Sequence, residues 1–204
     1  MNIIFATNNK GKIKEIGEIM QDLPLPVISM EEAGLDMDII EDGTTFEENA
    51  KIKAKAVAKI FPNAIVLADD SGLEIDYLNK EPGVYSARFS GKDTPYSVKN
   101  QIFLDKLKDV PPEKRTARFV CVIAAIFPDG SEKLCRATLE GQIATESSGE
   151  HGFGFDPIFY LPEYGCTTAT LSPELKNSLS HRGKALEEMK EMIRKYMTME
   201  CLFL

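Results

Sequence analysis

The chain has 204 residues, 43% of them hydrophobic and 27% charged, an ordinary globular balance that argues against disorder. Its net charge of −8, from 24 Lys and Arg against 32 Asp and Glu, argues against a nucleic-acid-coating surface, and no nucleic-acid partner is expected. An acidic protein that binds a phosphate ester must gather cations locally or recruit a metal.

The length suits one domain, or one domain in two lobes sharing a sheet. No run approaches the ~20 apolar residues of a membrane helix, so no membrane association is expected. Met1-Asn2-Ile3-Ile4-Phe5 lacks a basic region, a long apolar core and a cleavage site, and reads as a first strand rather than a signal peptide. Cys121, Cys135, Cys166 and Cys201 are widely spaced, without the close pairs that zinc ligation uses. Free thiols and a cytoplasmic location are expected.

In chain order, Asn2 to Ala6 suits a buried strand that runs into the polar turn Thr7-Asn8-Asn9-Lys10-Gly11-Lys12. A helix follows, with Ile13, Ile16, Gly17, Met20 and Leu23 on one face; Pro24 and Pro26 end it, and Val27-Ile28 opens a second strand. Glu31 to Thr45 is an acidic loop. Thr45 and Glu48 have capping-box spacing, and Phe46, Ala50, Ala54, Val57, Ala58 and Phe61 form the apolar face of the next helix. Ala64 to Ala68 is a second apolar strand ending in Asp69-Asp70-Ser71-Gly72, and Leu73 to Leu78 continues as a short strand.

Glu81 to Asp93 is a loop, and Thr94-Pro95 is an N-cap and N1 pair for a helix carrying Val98, Ile102 and Leu107. Arg118 to Phe127 and Glu132 to Ile143 are strands around the turn Pro128-Asp129-Gly130. The glycine-rich loop Gly149 to Asp156 leads into a short strand, Pro157 to Tyr160, and a last helix starts near Ser180 with Ala185, Leu186, Met189, Ile193 and Tyr196 inward. Strands alternating with helices around a central hairpin predict an α/β fold with a mixed sheet.

Five segments carry candidate chemistry. Thr7 to Lys12 brings free backbone N–H groups, a helix N-terminus and a lysine to one point, which suits a phosphate, although the turn is no Walker A loop. Asp69 and Asp70 follow a buried strand, where strand alternation lets one face a site, to hold Mg²⁺ or take a proton from water. Glu41 lies outside the helix and is free to reach a metal, while Glu47 and Glu48 suit capping. Gly152-Phe153-Gly154-Phe155-Asp156-Pro157 places two aromatic rings in a loop, where either could stack on a flat ligand or anchor the core. Lys176, Ser180, His181, Arg182 and Lys184 cluster around the start of the last helix, against its dipole, as if to bind a ligand's polar edge or its phosphates.

In this order, Thr7-x-Asn9-x-x-Lys12, Thr45-Phe46-x-Glu48-Asn49-Ala50, Ala68-Asp69-Asp70-Ser71-Gly72-Leu73, Pro82-Gly83-Val84-Tyr85-Ser86-Ala87-Arg88, Gly152-Phe153-Gly154-Phe155-Asp156-Pro157 and Ser180-His181-Arg182-Gly183 resemble the inosine triphosphate (dITP/XTP) pyrophosphatase family. The resemblance spans Asn2 to about Tyr196. It implies an elongated mixed sheet with two α/β lobes flanking a nucleotide cleft, a homodimer, and Mg²⁺-dependent hydrolysis of ITP, dITP and XTP to the monophosphate and pyrophosphate. By position it implies that Thr7, Asn8, Asn9, Lys10, Gly11, Lys12 and Ser71 hold the triphosphate. Asp70 would activate water or ligate the metal, with Glu41 assisting. Phe153, Gly154, Phe155, Asp156, Lys176, His181 and Arg182 would surround the base.

Thr170 and Leu175 stand where the family often has acidic residues, and about 198–204 reads as an unmatched apolar tail. An aspartyl-phosphate phosphatase would want a second Asp two residues after its nucleophile, where Asp70 is followed by Ser71 and Gly72. A non-catalytic nucleotide sensor on the same fold would not need Asp70, Glu41 and Lys12 intact.

Overall fold

The computed structural model describes residues 1–202. It is an α/β fold in which one mixed sheet has the strand order β2-β1-β3-β4-β5-β6-β7. The strands are β1 (Ile3–Phe5), β2 (Val27–Ser29), β3 (Ile65–Ile75), β4 (Thr116–Ile126), β5 (Glu132–Ile143), β6 (Phe159–Leu161) and β7 (Cys166–Thr167). The helices are α1 (Lys10–Met20), α2 (Phe46–Ala58), α3 (Tyr96–Lys106), α4 (Pro173–Leu179) and α5 (His181–Leu202). β1 is parallel to β2 and to β3, with Ile3 opposite both Val27 and Ile65, so α1 and α2 serve as the crossovers that parallel pairing requires. β6 is antiparallel to β5 and to β7.

The chain forms two compact units. The first holds Met1–Asp70, Cys121–Ala137 and the chain from Arg182 onward, around a core that includes Ile3, Phe5, Ile16, Met20, Leu67, Ile123, Leu186 and Ile193. The second holds Ser71–Val120 and Thr138–His181, around Leu73, Ile75, Phe103, Leu107, Ile158 and Phe159.

The expected α2 begins as its sequence predicts: the Thr45 hydroxyl accepts from the Glu48 N–H at 3.1 Å. The Glu48 carboxylate accepts from the N–H and hydroxyl of Thr44 and also from the Thr45 backbone, which holds it below its ordinary range. The last helix starts at His181 and buries Ala185, Leu186, Met189 and Ile193 as expected. It continues through Leu202, so it takes in the start of the segment read as a tail; Phe203 and Leu204 lie outside the described residues.

Several expectations are corrected. Asp69 and Asp70 do not end a strand but lie inside β3, which runs unbroken to Ile75; pairing in the sheet overrides the turn preference of Asp-Asp-Ser-Gly. The cap of α3 is Pro95, not Thr94, whose hydroxyl donates instead to the Ser90 carbonyl at 2.6 Å. Residues 156–158 form a short 3₁₀ turn before β6, because Pro157 cannot donate to a ladder. β7 and α4 were not anticipated.

Candidate active site

In the first unit, β1 hands the chain to α1 through a turn of small polar residues. Asn9 caps the helix by accepting from the Lys12 N–H at 3.1 Å, and the Thr7 hydroxyl accepts from the Asn9 N–H at 3.2 Å. Asn9 and Lys10 are exposed, so the N-terminal turn of an 11-residue helix is open to an anion.

Successive residues of a strand point to opposite faces, and β3 uses this to separate its two aspartates. Asp69 has a fully buried side chain, and the Lys12 ammonium donates to its Oδ1. Its Oδ2 accepts from Arg182 Nε at 3.0 Å and from the Cys121 thiol at 3.1 Å. Burial alone would push the Asp69 carboxyl up, but the Lys12 and Arg182 cations and the hydrogen bonds hold it well below the usual carboxylate range. The Cys121 thiol is pushed well up by burial and by Asp69, which makes it a donor rather than a nucleophile. Arg182 also donates to Glu15 of α1, so two carboxylates clasp one buried guanidinium.

Asp70 faces a different group. Lys53 Nζ, carried on the buried face of α2, sits 3.1 Å from Asp70 Oδ1 and 2.7 Å from Glu41 Oε2. Burial pushes the Asp70 carboxyl up to about 6, against the pull of Lys53 and Lys12 and with a further push from Glu41. The other oxygen of Asp70 is buried and has no hydrogen-bond partner among the described residues. Glu41 is brought in by a local closure: Asn49 Oδ1 accepts from the Gly43 N–H at 2.9 Å, and any side chain at Gly43 would collide with Asn49 and Glu48.

Two carboxylate oxygens converging on one cation, plus an unpartnered buried oxygen, are the right donor type for a hard divalent ion. Among the described residues there is no set of three or more His, Cys, Asp or Glu that could hold a metal by itself. Mg²⁺ fits such a partial set, because it binds through one or two carboxylates and fills its shell with water and substrate phosphate.

The second unit carries the aromatic loop. Phe155 is 4% exposed and packs edge-on against Tyr96 and Phe103, with centroids at 5.1 and 5.7 Å, so its ring belongs to the core and not to a stacking surface. Phe153 is half-buried, with Lys176 Nζ 5.1 Å from its ring centroid. Asp156 accepts from the Phe153 N–H at 2.8 Å and from Lys176 Nζ at 2.6 Å. Gly154 has φ +68, which a glycine adopts without strain, and its carbonyl accepts from Asn100 Nδ2 at 3.2 Å. His181 is buried, with its ring stacked on Phe119 at 4.8 Å. Lys176 lies in the last turn of α4, where a cation complements the dipole, so it is not the opposed charge that its sequence position suggested.

Within the first unit, therefore, Lys12, Asp70, Glu41 and Arg182 come together with Asp69; within the second, Phe153, Gly154, Asp156 and Lys176 do. Ser71 lies in β3, next to Asp70. Sequence reasoning missed Lys53 and Glu15. Their signal was available: each lies on the apolar stripe of its helix, Lys53 among Ala50, Ala54 and Val57, and Glu15 among Ile16 and Ile19.

Residues 3–192 match the model of the Ham1 family. A dITP/XTP pyrophosphatase of Clostridium perfringens is 45% identical over 196 residues, covering 94% of this chain and 96% of that one. One from Desulforamulus reducens is 47% identical, covering 96% of each. Among solved structures, the Staphylococcus aureus Ham1 protein superposes with a TM-score of 0.84 at 42% identity, covering 96% of this chain and all of that one. A HAM1 protein from Coxiella burnetii gives 0.85 at 41%, covering 96% and 99%.

Proposed function

The chain belongs to the Ham1 family, and from that premise we propose that it hydrolyses deaminated purine nucleoside triphosphates, ITP, dITP and XTP, to the monophosphate and pyrophosphate. The observation that carries this reading is Asp70: a buried carboxylate, pushed up to about 6, beside Lys53 and Glu41. Such a group is unprotonated at neutral pH yet close enough to its pKa to accept a proton.

In the reaction, the oxygen of a water molecule attacks the α-phosphorus while Asp70 accepts its proton. The bond to the bridging oxygen breaks and pyrophosphate leaves. Thr7 to Lys12 and Ser71 hold the triphosphate, and the Lys12 ammonium, oriented by Asp69, lies where charge grows on the phosphate oxygens. Glu41 and Asp70 would hold Mg²⁺, which supplies charge neutralisation on the phosphate when bound. Lys53 keeps those two carboxylates together without mutual repulsion.

On the base side, Phe153 stacks, while Lys176 and His181 supply donors; Arg182, implied at the base by the resemblance, donates instead to the buried carboxylates of Asp69 and Glu15 in the first unit. Phe155, in the core, supports the loop instead. Donors suit the 6-carbonyl of hypoxanthine and xanthine and leave the amine of adenine unsatisfied, a mismatch that costs about 1–3 kcal/mol when buried. A homodimer in the cytoplasm completes the reading, on the strength of the family resemblance. The reading includes no nucleic-acid partner, which the net charge of −8 favours, and among the described residues no helix is long and apolar enough to cross a membrane.

The test is incubation with a panel of nucleoside triphosphates and Mg²⁺, measuring pyrophosphate separately from orthophosphate. Pyrophosphate from ITP and XTP well above that from ATP is expected; orthophosphate with a diphosphate left behind sinks the reading.

A further inference from the structure

Thr168 lies in the short 3₁₀ turn of residues 168–170, directly after β7, and is 1% exposed. Its hydroxyl donates toward Asp156, 2.9 Å from Oδ1 and 3.2 Å from the main-chain carbonyl oxygen. The other carboxylate oxygen accepts from the Phe153 N–H at 2.8 Å and from Lys176 Nζ at 2.6 Å. Three donors from three segments thus meet on one carboxylate that is 4% exposed. Gly152 completes the closure: its φ is +75, and an added Cβ would collide with the same carboxylate.

The segment bearing Thr168 is itself fastened to the loop. The Thr167 hydroxyl donates to the Ser148 carbonyl at 2.8 Å, and the His151 N–H donates to the Ala169 carbonyl at 2.9 Å. Thr168 is therefore a fixed reference against which Asp156 is turned. Lys176, held by Asp156, also stands over the Phe153 ring. One carboxylate sets the ring's backbone amide and the ammonium together.

We propose that Thr168 is a positioning residue for base recognition, acting through Asp156 on Phe153 and Lys176; this rests on the base-side assignment above. Asp156 then has the role of an internal acceptor that aims donors, not of a ligand to the base. A valine at 168 keeps the volume but leaves Asp156 Oδ1 short of its donor, and the carboxylate is free to turn away from Lys176 and the Phe153 amide.

Thr168→Val and Thr168→Ser separate this role from packing. In calorimetric titration with IMP, the valine variant is expected to bind about tenfold more weakly, the loss of one hydrogen bond to a charged group, and serine to recover to within about threefold. In turnover, KM for ITP rises about tenfold with kcat little changed, while KM for ATP moves less, so the preference for ITP narrows. Should the valine variant not fold, Thr168→Ala against Thr168→Ser makes the same comparison. IMP binding by the hydroxyl-free variant within about twofold of the unmodified protein overturns the proposal, as does an equal loss for ITP and ATP. If the unmodified protein binds IMP but releases no pyrophosphate from ITP, the reaction assignment fails while the Thr168 comparison is decided on IMP; if it binds no IMP, the inference falls too.

Discussion

Asp69→Asn and Asp70→Asn remove the same charge from adjacent positions, and the surroundings of the two residues predict opposite consequences. Both oxygens of Asp69 accept from buried donors: Lys12 on one, Arg182 and Cys121 on the other. An amide turns one of these oxygens into a donor facing a cation and removes the charge that the buried Arg182 and Lys12 are paired with. Breaking a buried ion pair in this way costs about 3–5 kcal/mol. For a chain of this size that lowers the unfolding temperature by about 6–20 °C. Asp70 is the reverse case. One of its oxygens has no hydrogen-bond partner among the described residues, burial already works against its charge, and Lys53 retains Glu41 when the charge is gone. Asp70→Asn is expected to stay within about 1 kcal/mol of the unmodified protein, or about 4 °C, while losing nearly all turnover and keeping nucleotide binding. Thermal unfolding without nucleotide or metal, beside pyrophosphate release, reads both. Equal unfolding temperatures for the two variants, or the greater loss with Asp70→Asn, would refute this division of roles.

Turnover is expected to rise with pH and then level off, because Asp70 must be unprotonated; without metal its carboxyl is at about 6, and bound Mg²⁺, which favours the carboxylate, puts the midpoint of the pH–rate profile at or below that value. Stability carries the matching sign. Asp70 titrates at about 6 against an ordinary 3.8, so its contribution declines as pH rises from about 4 to 6; Asp69 is depressed, so its contribution is present above about pH 4 and lost on further acidification. Urea unfolding across this range should show the first effect vanish in Asp70→Asn. Lys53→Met leaves Glu41 and Asp70 facing each other without their cation, and the midpoint of the pH–rate profile is expected above that of the unmodified protein; an unchanged midpoint contradicts the assignment. Excess chelator is expected to stop turnover and added Mg²⁺ to restore it, and full activity in chelator would remove the metal from the account.

How much the sequence disclosed differs from element to element. α2 was legible because period and cap agreed, as with Thr45 and the apolar face from Phe46 to Val57, and α5 from its period; α1 was legible as a helix, but Gly17, expected on its inward face, is exposed and Leu23 lies past its end at Met20. The full length of β3 is not legible in the sequence because Asp-Asp-Ser-Gly is turn chemistry, and only pairing in the sheet decides otherwise. α4 carried a readable start in Ser172-Pro173, with the Ser172 hydroxyl accepting from the Leu175 N–H at 3.3 Å, whereas the two residues of β7 are set by β6. In the site, Lys12, Glu41 and Asp70 could be named from chain position. Phe153 and Phe155 could not be told apart, since Tyr96 and Phe103, far off in sequence, make the core choice for Phe155. Lys53 escaped because a helix lysine is ordinarily solvated, and its partners Asp70 and Glu41 are distant in sequence; Arg182 was named as a ligand-binding cation, but its pairing with Asp69 and Glu15 was not legible.

The central claim is that water attacks the α-phosphorus. Hydrolysis of ITP in ¹⁸O-enriched water, followed by mass analysis of both products, tests it most directly. The account predicts the heavy oxygen in the inosine monophosphate and none in the pyrophosphate. Heavy oxygen in the pyrophosphate, or in released orthophosphate, would contradict it.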